Sequence, residues 1–321
     1  MINEQQITYS VEEILFKNAR TIVYRASDKQ KNNFVVKKIS LDYKNEVDVW
    51  KAIKDKQYFA KLLTFFTSEH ENSISLIFEY LPNTLATKTE MNHHEFKKYI
   101  YQLLIAIHSL HKQGYVHCNV NPQNCLIRDN ELKLYDFSVT QKINEQGKFE
   151  IINCYTPPEV ILGNWYITEY LDIWSIGCVI CEVLLGTSLF KGTKPIDILL
   201  SIIKILGTPS NHEIQQMTNF TINNINLLQV NKVPFAELFK CKFDYYILDL
   251  ISRMLIYTPK DRIKIEDAIN HPFFQSDPIP QIVHHSDILY ASNLQEQEDK
   301  HKKEIIDFGE YGTFKQVNSS T

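Results

Sequence analysis

The spacing of apolar residues changes once along the chain, near residue 80, and this change limits the possible folds most strongly. Before it, the β-branched runs RTIVYRA and NNFVVKKISL flank the polar turn SDKQKNN, as in a β-hairpin, and SISLIFEY is typical of a buried strand. After it, apolar residues recur mainly at helical spacing. We therefore predict an α+β fold with a β-rich front lobe, a helical rear lobe, and a cleft at the hinge near residues 80–84.

The helical signals are strongest in the rear part. HEFKKYIYQLLIAIHSLHKQG ends at Gly114, a common helix terminator, and LDIWSIGCVICEVLLG is apolar nearly all round, as expected for a helix at the centre of a lobe. The front part holds one helical segment, NEVDVWKAI. Periodicity is lost after about residue 275. The predicted units are residues 8–81, residues 82–275, and a polar, partly disordered C-terminal extension at residues 276–321.

Composition excludes several classes of protein. The net charge of -4 gives no basic field for nucleic acid or for a membrane surface, and no apolar run reaches the ~20 residues of a membrane helix. The polar, acidic start is unlike a secretory signal, so we expect an intracellular protein in the cytoplasm, the nucleus or both. Cys178 and Cys181 have the spacing of a redox or zinc pair, but their apolar neighbours favour two buried helix residues.

Seven short motifs then occur in a fixed order over residues 8–275. They are FVVKK, VHCNVNPQN, YDFS, TPPEV, LDIWSIGCV, ILGTP and MLIYTPKDRIKIEDAINHPFF. In this order they resemble the landmarks of eukaryotic protein kinases, within the group of cyclin-dependent, mitogen-activated, glycogen-synthase and casein kinases. ILGTP favours the glycogen-synthase-kinase branch, whereas SLIFEY and HPFFQ favour casein kinase, so the branch stays open. The resemblance implies a bilobal kinase fold that uses ATP and Mg²⁺.

The resemblance also assigns residues to the nucleotide cleft. Lys37 matches the lysine that contacts the α- and β-phosphates, and Glu46 matches its helix carboxylate partner, at a shorter spacing than most kinases show. Asp136 and Asn124 match the two magnesium ligands. Four apolar residues match positions around the adenine ring, with the last at the gatekeeper position: Val23, Val35, Leu126 and Phe78.

The catalytic loop departs from the family pattern at three positions. Asn119 stands in place of the catalytic aspartate, and a carboxamide has negligible basicity. Asn121 stands in place of the lysine that neutralises the γ-phosphate. Cys118 stands in place of the arginine that binds a phosphate on the activation segment, which here corresponds to residues 136–159. Phe149 falls near the regulatory tyrosine of the glycogen-synthase-kinase branch, so the resemblance implies no phosphate switch here.

The phosphate-binding loop departs as well. Phe16, Asn18 and Thr21 occupy its three glycine positions, where a Cβ limits close approach of the backbone to phosphates. Positions that hold the family's fold are kept: His117, Asp172, and the pair Glu159 and Arg262.

This contrast leads to two hypotheses about function. The first is a catalytically impaired pseudokinase that acts as a protein-binding scaffold or nucleotide sensor, with reduced affinity for ATP and Mg²⁺. The alternative is a weak or unorthodox ATP-dependent serine/threonine kinase that relies on Lys37, Asp136 and Asn124. Both imply protein partners, neither nucleic acid nor membrane, and a monomer outside complexes.

Overall fold

A computed structural model describes residues 9–41, 45–54, 56–88, 90–218, 229–240, 243–275 and 282–284. The front part is a five-stranded antiparallel sheet in the order β1-β2-β3-β5-β4. Its strands are β1 (Ser10–Lys17), β2 (Thr21–Ser27), β3 (Asn33–Ser40), β4 (Leu62–Ser68) and β5 (Ser73–Glu79). The predicted hairpin is β2 with β3, and β5 lies on the far side of β3. One helix, α1 (Asn45–Ala52), packs against this sheet through its buried residues Val47, Val49 and Trp50.

The rear part is mainly helical. Its helices are α2 (His93–Lys112), α3 (Pro158–Ile161), α4 (Tyr170–Leu185), α5 (Pro195–Leu206), α6 (Asn211–Met217), α7 (Phe235–Leu238), α8 (Tyr245–Met254), α9 (Ile265–Ile269) and α10 (Pro272–Gln275). Short strands connect them: β6 (Asn83–Thr84), β7 (Glu90–Asn92), β8 (Tyr115–Val116), β9 (Cys125–Arg128), β10 (Glu131–Leu134) and β11 (Gln141–Lys142). The sheet followed by helices confirms the predicted α+β, bilobal fold class.

Local sequence explains where the long helices begin and end. Asn92 and Glu95 form a reciprocal capping box at the start of α2, and Gly114, at φ 81°, ends the segment after it. Most residues of α4 are buried, as its apolar sequence predicts, and Cys178 and Cys181 are free thiols inside it. Burial raises the pKa of both thiols, which makes them unreactive packing residues.

The chain crosses from the sheet to the helical part between β5 and β6. β6 pairs with β9, so residues 83–84 already belong to the rear part. Lys37 on β3 meets Asp136, which follows β10, so the sheet and the rear part are in contact on either side of this crossing.

Three residues of the predicted C-terminal extension are among the described residues. A short strand, β12 (Ile282–His284), pairs antiparallel with β7, because the extended backbone there meets a free strand edge. The rest of the predicted extension, 276–281 and 285–321, lies outside the described residues. Among the described residues, no helix has both the length and the apolar character needed to cross a membrane.

A buried ion pair ties the segment before α3 to the end of the rear part. Both guanidinium nitrogens of Arg262 donate to the carboxylate of Glu159, at 2.7 Å each. Arg262 also donates to the carbonyl of Ile256 and stacks over Trp174. A bidentate pair of this kind satisfies both charges, so removing one partner leaves the other buried and uncompensated.

We expect Arg262→Met to lower the free energy of unfolding by about 3–5 kcal/mol, measured by urea denaturation. Arg253→Met is the matched control, because Arg253 pairs with Asp249 while its side chain is 57% exposed. The control should lose less than about 1 kcal/mol. Equal losses in the two variants would contradict a special role for the buried pair.

Candidate functional site

A buried lysine joins three parts of the chain at the cleft. The Nζ atom of Lys37, on β3, lies 2.7 Å from Oε1 of Glu46 on α1 and 2.6 Å from Oδ1 of Asp136. Lys37 is 2% exposed, so this charge has almost no water around it. Burial by itself lowers the pKa of Lys37, but the nearby charges of Asp136 and Glu46 outweigh it and raise that pKa. The lysine is therefore cationic at neutral pH, as phosphate binding requires.

Aromatic side chains close the cleft behind this lysine. The ring of Trp50 lies 4.9 Å from the ring of Phe78 and 4.5 Å from that of Phe137, between ring centroids. The ring of Tyr135 lies 5.1 Å from that of Phe78 and 5.7 Å from Nζ of Lys37. These contacts fix α1 against the sheet and the Asp136 segment, which keeps Glu46 within reach of Lys37.

The predicted adenine-lining residues come from three strands. Val35 on β3 is in register with the fully buried Phe78 on β5, and Val23 on β2 is in register with Lys37. Leu126 lies on β9, across from Thr84. Val23, Val35 and Leu126 are all half-buried, so each keeps some surface for a ligand.

Asp172, on α4, binds the backbone of the loop between β8 and β9. Its two carboxylate oxygens accept hydrogen bonds from the backbone N–H groups of His117 and Cys118, each at 2.9 Å. Cys118 has φ 63°, a left-handed conformation that side chains rarely adopt, and these hydrogen bonds help to hold it. The ring of His117 lies 5.3 Å from that of Phe137, which couples the loop to the Asp136 segment.

Four asparagines meet at the position of the family's catalytic aspartate. Asn121 donates to the backbone and side-chain oxygens of Asn119 at 3.0 and 3.1 Å, and Asn124 donates to the same backbone oxygen at 2.9 Å. Asn153, which the sequence analysis missed, donates to Oδ1 of Asn119 at 3.3 Å. Asn119 and Asn121 are thus ordered by neutral amides, without a carboxylate or a lysine.

The residues present fit a magnesium ion that arrives with a nucleotide. The Nδ2 atom of Asn124 is used on Asn119, which leaves its Oδ1 for a cation, and Asp136 has a second oxygen beyond the one bonded to Lys37. Among the described residues, no group of three or more His, Cys, Asp or Glu forms a metal site. One carboxylate and one amide oxygen suit Mg²⁺, which takes most of its remaining ligands from phosphates and water.

The turn between β1 and β2 uses its own backbone donors. Oδ1 of Asn18 accepts from the N–H of Arg20 at 2.9 Å and from the N–H of Thr21 at 2.7 Å. These are N–H groups that a glycine-rich loop would offer to phosphates. The neighbouring Phe16 is 52% exposed. In this loop without its three glycines, the side chain of Asn18 thus occupies two backbone N–H groups of the turn.

Apolar packing replaces a phosphate clamp beside the catalytic loop. Cys118 and Phe149 pack against one buried cluster, together with two further half-buried side chains, Ile143 and Trp165. The members of that cluster are Val116, Val160, Ile167 and Leu171. Gln141 also donates to the carbonyl of Lys148 and accepts from its N–H, both at 2.8 Å. Apolar packing and this pair of hydrogen bonds therefore both hold the activation segment at this point.

Comparison with known proteins agrees with this geometry. The family model described as "Protein kinase domain" matches residues 10–274. This chain belongs to the protein kinase family.

Two curated kinases show where in the family it lies. Protein kinase gsk3 of Schizosaccharomyces pombe is 33% identical over 288 residues, which cover 84% of this kinase and 72% of the relative. Glycogen synthase kinase 1 of Pyricularia oryzae is 35% identical over 250 residues, which cover 72% of this kinase and 63% of the relative. These relatives confirm the predicted group of cyclin-dependent, mitogen-activated, glycogen-synthase and casein kinases. Family membership implies the use of ATP and Mg²⁺ in general.

Three site residues of this kinase escaped the sequence analysis. Asn153 could have been noticed from the run NCYT, because Asn followed by Thr three residues later is typical of a side-chain-capped turn. Trp50 and Tyr135 gave no comparable signal. In the sequence each is typical of a core aromatic residue, and its position at the cleft depends on contacts between separate parts of the chain.

The ion pairs of Asp136 predict an acid-dependent stability. Burial raises the pKa of Asp136, but the charge and hydrogen bond of Lys37 outweigh it, so this pKa lies below the ordinary 3.8. A lowered folded pKa contributes stability above the unfolded value, and this contribution is lost as the pH falls through the folded value. We expect the wild type to lose unfolding free energy below about pH 4 more steeply than Asp136→Asn, in urea titrations at several pH values. Parallel pH profiles would contradict this ion pairing.

Proposed function

We propose that this protein binds ATP with Mg²⁺ in the cleft and acts as a serine/threonine protein kinase of low turnover. The observation that carries the proposal is the three-way contact of Lys37 with Glu46 and Asp136, at 2.7 and 2.6 Å. This contact places the cation that would bind phosphate beside the carboxylate that would bind the metal, and such positioning favours transfer.

The reaction is the transfer of the γ-phosphoryl group of ATP to an alcohol. A bond forms between the acceptor oxygen and the γ-phosphorus, the bond from that phosphorus to the β,γ-bridging oxygen breaks, and ADP leaves. Mg²⁺, when bound, neutralises charge on the phosphates. Lys37 contacts the phosphates, and Asp136 and Asn124 hold the metal. The hydroxyl proton passes to solvent, because Asn119 has no basicity.

The missing groups set the expected rate. A general base contributes typically ~10²–10⁴-fold, and a charged clamp on the transferred phosphoryl group a further ~10² or more. Protein kinases turn over at about 1–100 s⁻¹. We therefore expect transfer roughly 10⁴-fold or more below that range. Both curated relatives are named as kinases, which favours slow transfer over its complete loss.

A second candidate is a pseudokinase that binds protein partners and senses nucleotide without transfer. Two observations favour it: the amide cluster around Asn119, and the turn at Asn18 that occupies its own N–H donors. Its partners would be proteins. The apolar residues Ile198, Ile202 and Leu206 of α5 are buried against the rear part, so they do not supply a docking face. In either role we place the protein in a reducing compartment, the cytoplasm or nucleus, since the described cysteines are all free.

Incorporation of label from γ-labelled ATP into a generic serine/threonine acceptor separates the two candidates. The proposed kinase should give slow, magnesium-dependent incorporation that Asp136→Ala abolishes and that Asn119→Ala retains at saturating ATP, because Asn119 is not a base. Asp136→Ala, purified in the same way, also controls for contaminating kinases, and Arg253→Gln, which alters an ion pair with an exposed arginine, controls for substitution as such and should match the wild type. Incorporation that persists equally in Asp136→Ala, or none at all, would overturn the proposed activity and favour the second candidate.

A further inference from the structure

The side chain of Asn119 has a single orientation that fits its neighbours. The first neighbour, Asn121, has its own orientation fixed, because its Oδ1 accepts from the backbone N–H groups of Gln123 and Asn124 at 3.0 and 3.1 Å. Its amide nitrogen must therefore be the atom that faces Asn119, at 3.1 Å. An amide N–H₂ group only donates, so it requires an acceptor opposite.

The second neighbour, Asn153, is fixed in the same way from another part of the chain. Its Oδ1 accepts from the N–H of Tyr155 at 2.9 Å, so its nitrogen faces Asn119 at 3.3 Å. Two independent N–H₂ groups thus converge on one atom of Asn119, and only its oxygen can accept both. The hydrogen-bond network therefore fixes the orientation of an amide whose nitrogen and oxygen are otherwise hard to distinguish.

The amide nitrogen of Asn119 is consequently left over. Within the described part of the chain, no hydrogen bond uses it. Asn119 is only half-buried, and Asn124, the predicted metal ligand, bonds its backbone oxygen. The two amide hydrogens of Asn119 are therefore available as donors beside Asn124. Most kinases have an aspartate at this position, and its carboxylate accepts hydrogen bonds instead.

We propose that Asn119 donates a hydrogen bond to a terminal phosphoryl oxygen of a bound nucleoside triphosphate, and that Asn121 and Asn153 hold it in the donating orientation. The inference rests on the proposed binding of ATP in this cleft. A carboxylate at this position would repel the phosphate and accept from the alcohol, whereas this carboxamide attracts the phosphate and cannot accept a proton. The chain then favours ATP over ADP. Asn153 is a positioning residue that acts through Asn119.

Such a contact changes binding more than rate. A hydrogen bond made equally in the ground state and the transition state raises affinity without lowering the barrier between them. The expected signature is therefore a difference between two ligands that share every group except the γ-phosphate. Equilibrium binding of ATP and of ADP, each with Mg²⁺, measures this difference without any transfer.

The closing experiment compares the two dissociation constants in the wild type and in variants of the full chain. Asn119→Leu removes the donor at similar volume, and Asn119→Asp keeps both accepted hydrogen bonds while it replaces the donor with a charge. Each should weaken ATP binding by about tenfold, the effect of one hydrogen bond to a charged group, and leave ADP binding within about twofold. Asn211→Leu, at an exposed asparagine on α6 outside the site, should leave both constants unchanged.

The role of Asn153 needs a variant that keeps its local turn. In Asn153→Ser the hydroxyl can still accept from the N–H of Tyr155, but it is too short to reach Asn119. This variant should lower the preference for ATP over ADP in the wild-type background and have no further effect in Asn119→Leu. A merely structural residue would shift both nucleotides alike in both backgrounds.

Two results would overturn the inference, and they are distinguishable. Binding of both nucleotides with an ATP preference that neither Asn119→Leu nor Asn119→Asp changes would refute the donor and leave the proposed function standing. Failure of the wild type to bind either nucleotide would refute both together.

Discussion

Lys37 carries a positive charge in a place with almost no water, and two carboxylates, one nearby in the chain and one 99 residues away, compensate it. Glu46 comes from α1 and Asp136 from the segment after β10. The ion pairs therefore join the sheet, its helix and the start of the activation segment. Removing one partner of a buried charge lowers the free energy of unfolding strongly, so the arrangement is stable only when all three groups are present. The aromatic contacts of Trp50 and Phe137 then hold the same three parts together from behind.

The same site is incomplete in a consistent way. The residues that match the family's nucleotide-binding groups, Lys37 and Asp136, are in contact, whereas amides stand at the positions that match its catalytic aspartate and lysine. The activation segment follows this pattern, since Cys118 and Phe149 share an apolar cluster where a phosphate clamp would stand. Packing and buried charge thus both hold the described part of this segment against the rear part.

Sequence predicted the fold and the strongest contacts because both depend on local pattern or on motifs in a fixed order. The pairs of Lys37 with Glu46, and of Glu159 with Arg262, are present as the motifs implied, the former despite its short spacing. The orientation of Asn119 could not be predicted, because it depends on Asn153, 34 residues away, whose own amide is fixed by a turn. The closed turn at Asn18 was missed for a related reason. The sequence shows that Asn18 replaces a glycine of the phosphate-binding loop. That its side chain binds the N–H groups of Arg20 and Thr21 is visible only in the structure.

If this cleft binds ATP and Mg²⁺ yet transfers phosphate slowly, a single-turnover experiment will show both properties. The protein is used in excess over labelled ATP with an acceptor peptide, and a parallel sample lacks magnesium. The transfer rate should rise to a plateau with protein concentration only when magnesium is present, and the plateau should lie roughly 10⁴-fold or more below 1–100 s⁻¹. A plateau inside that range, or no binding of ATP, would show that this cleft does not combine nucleotide binding with slow transfer.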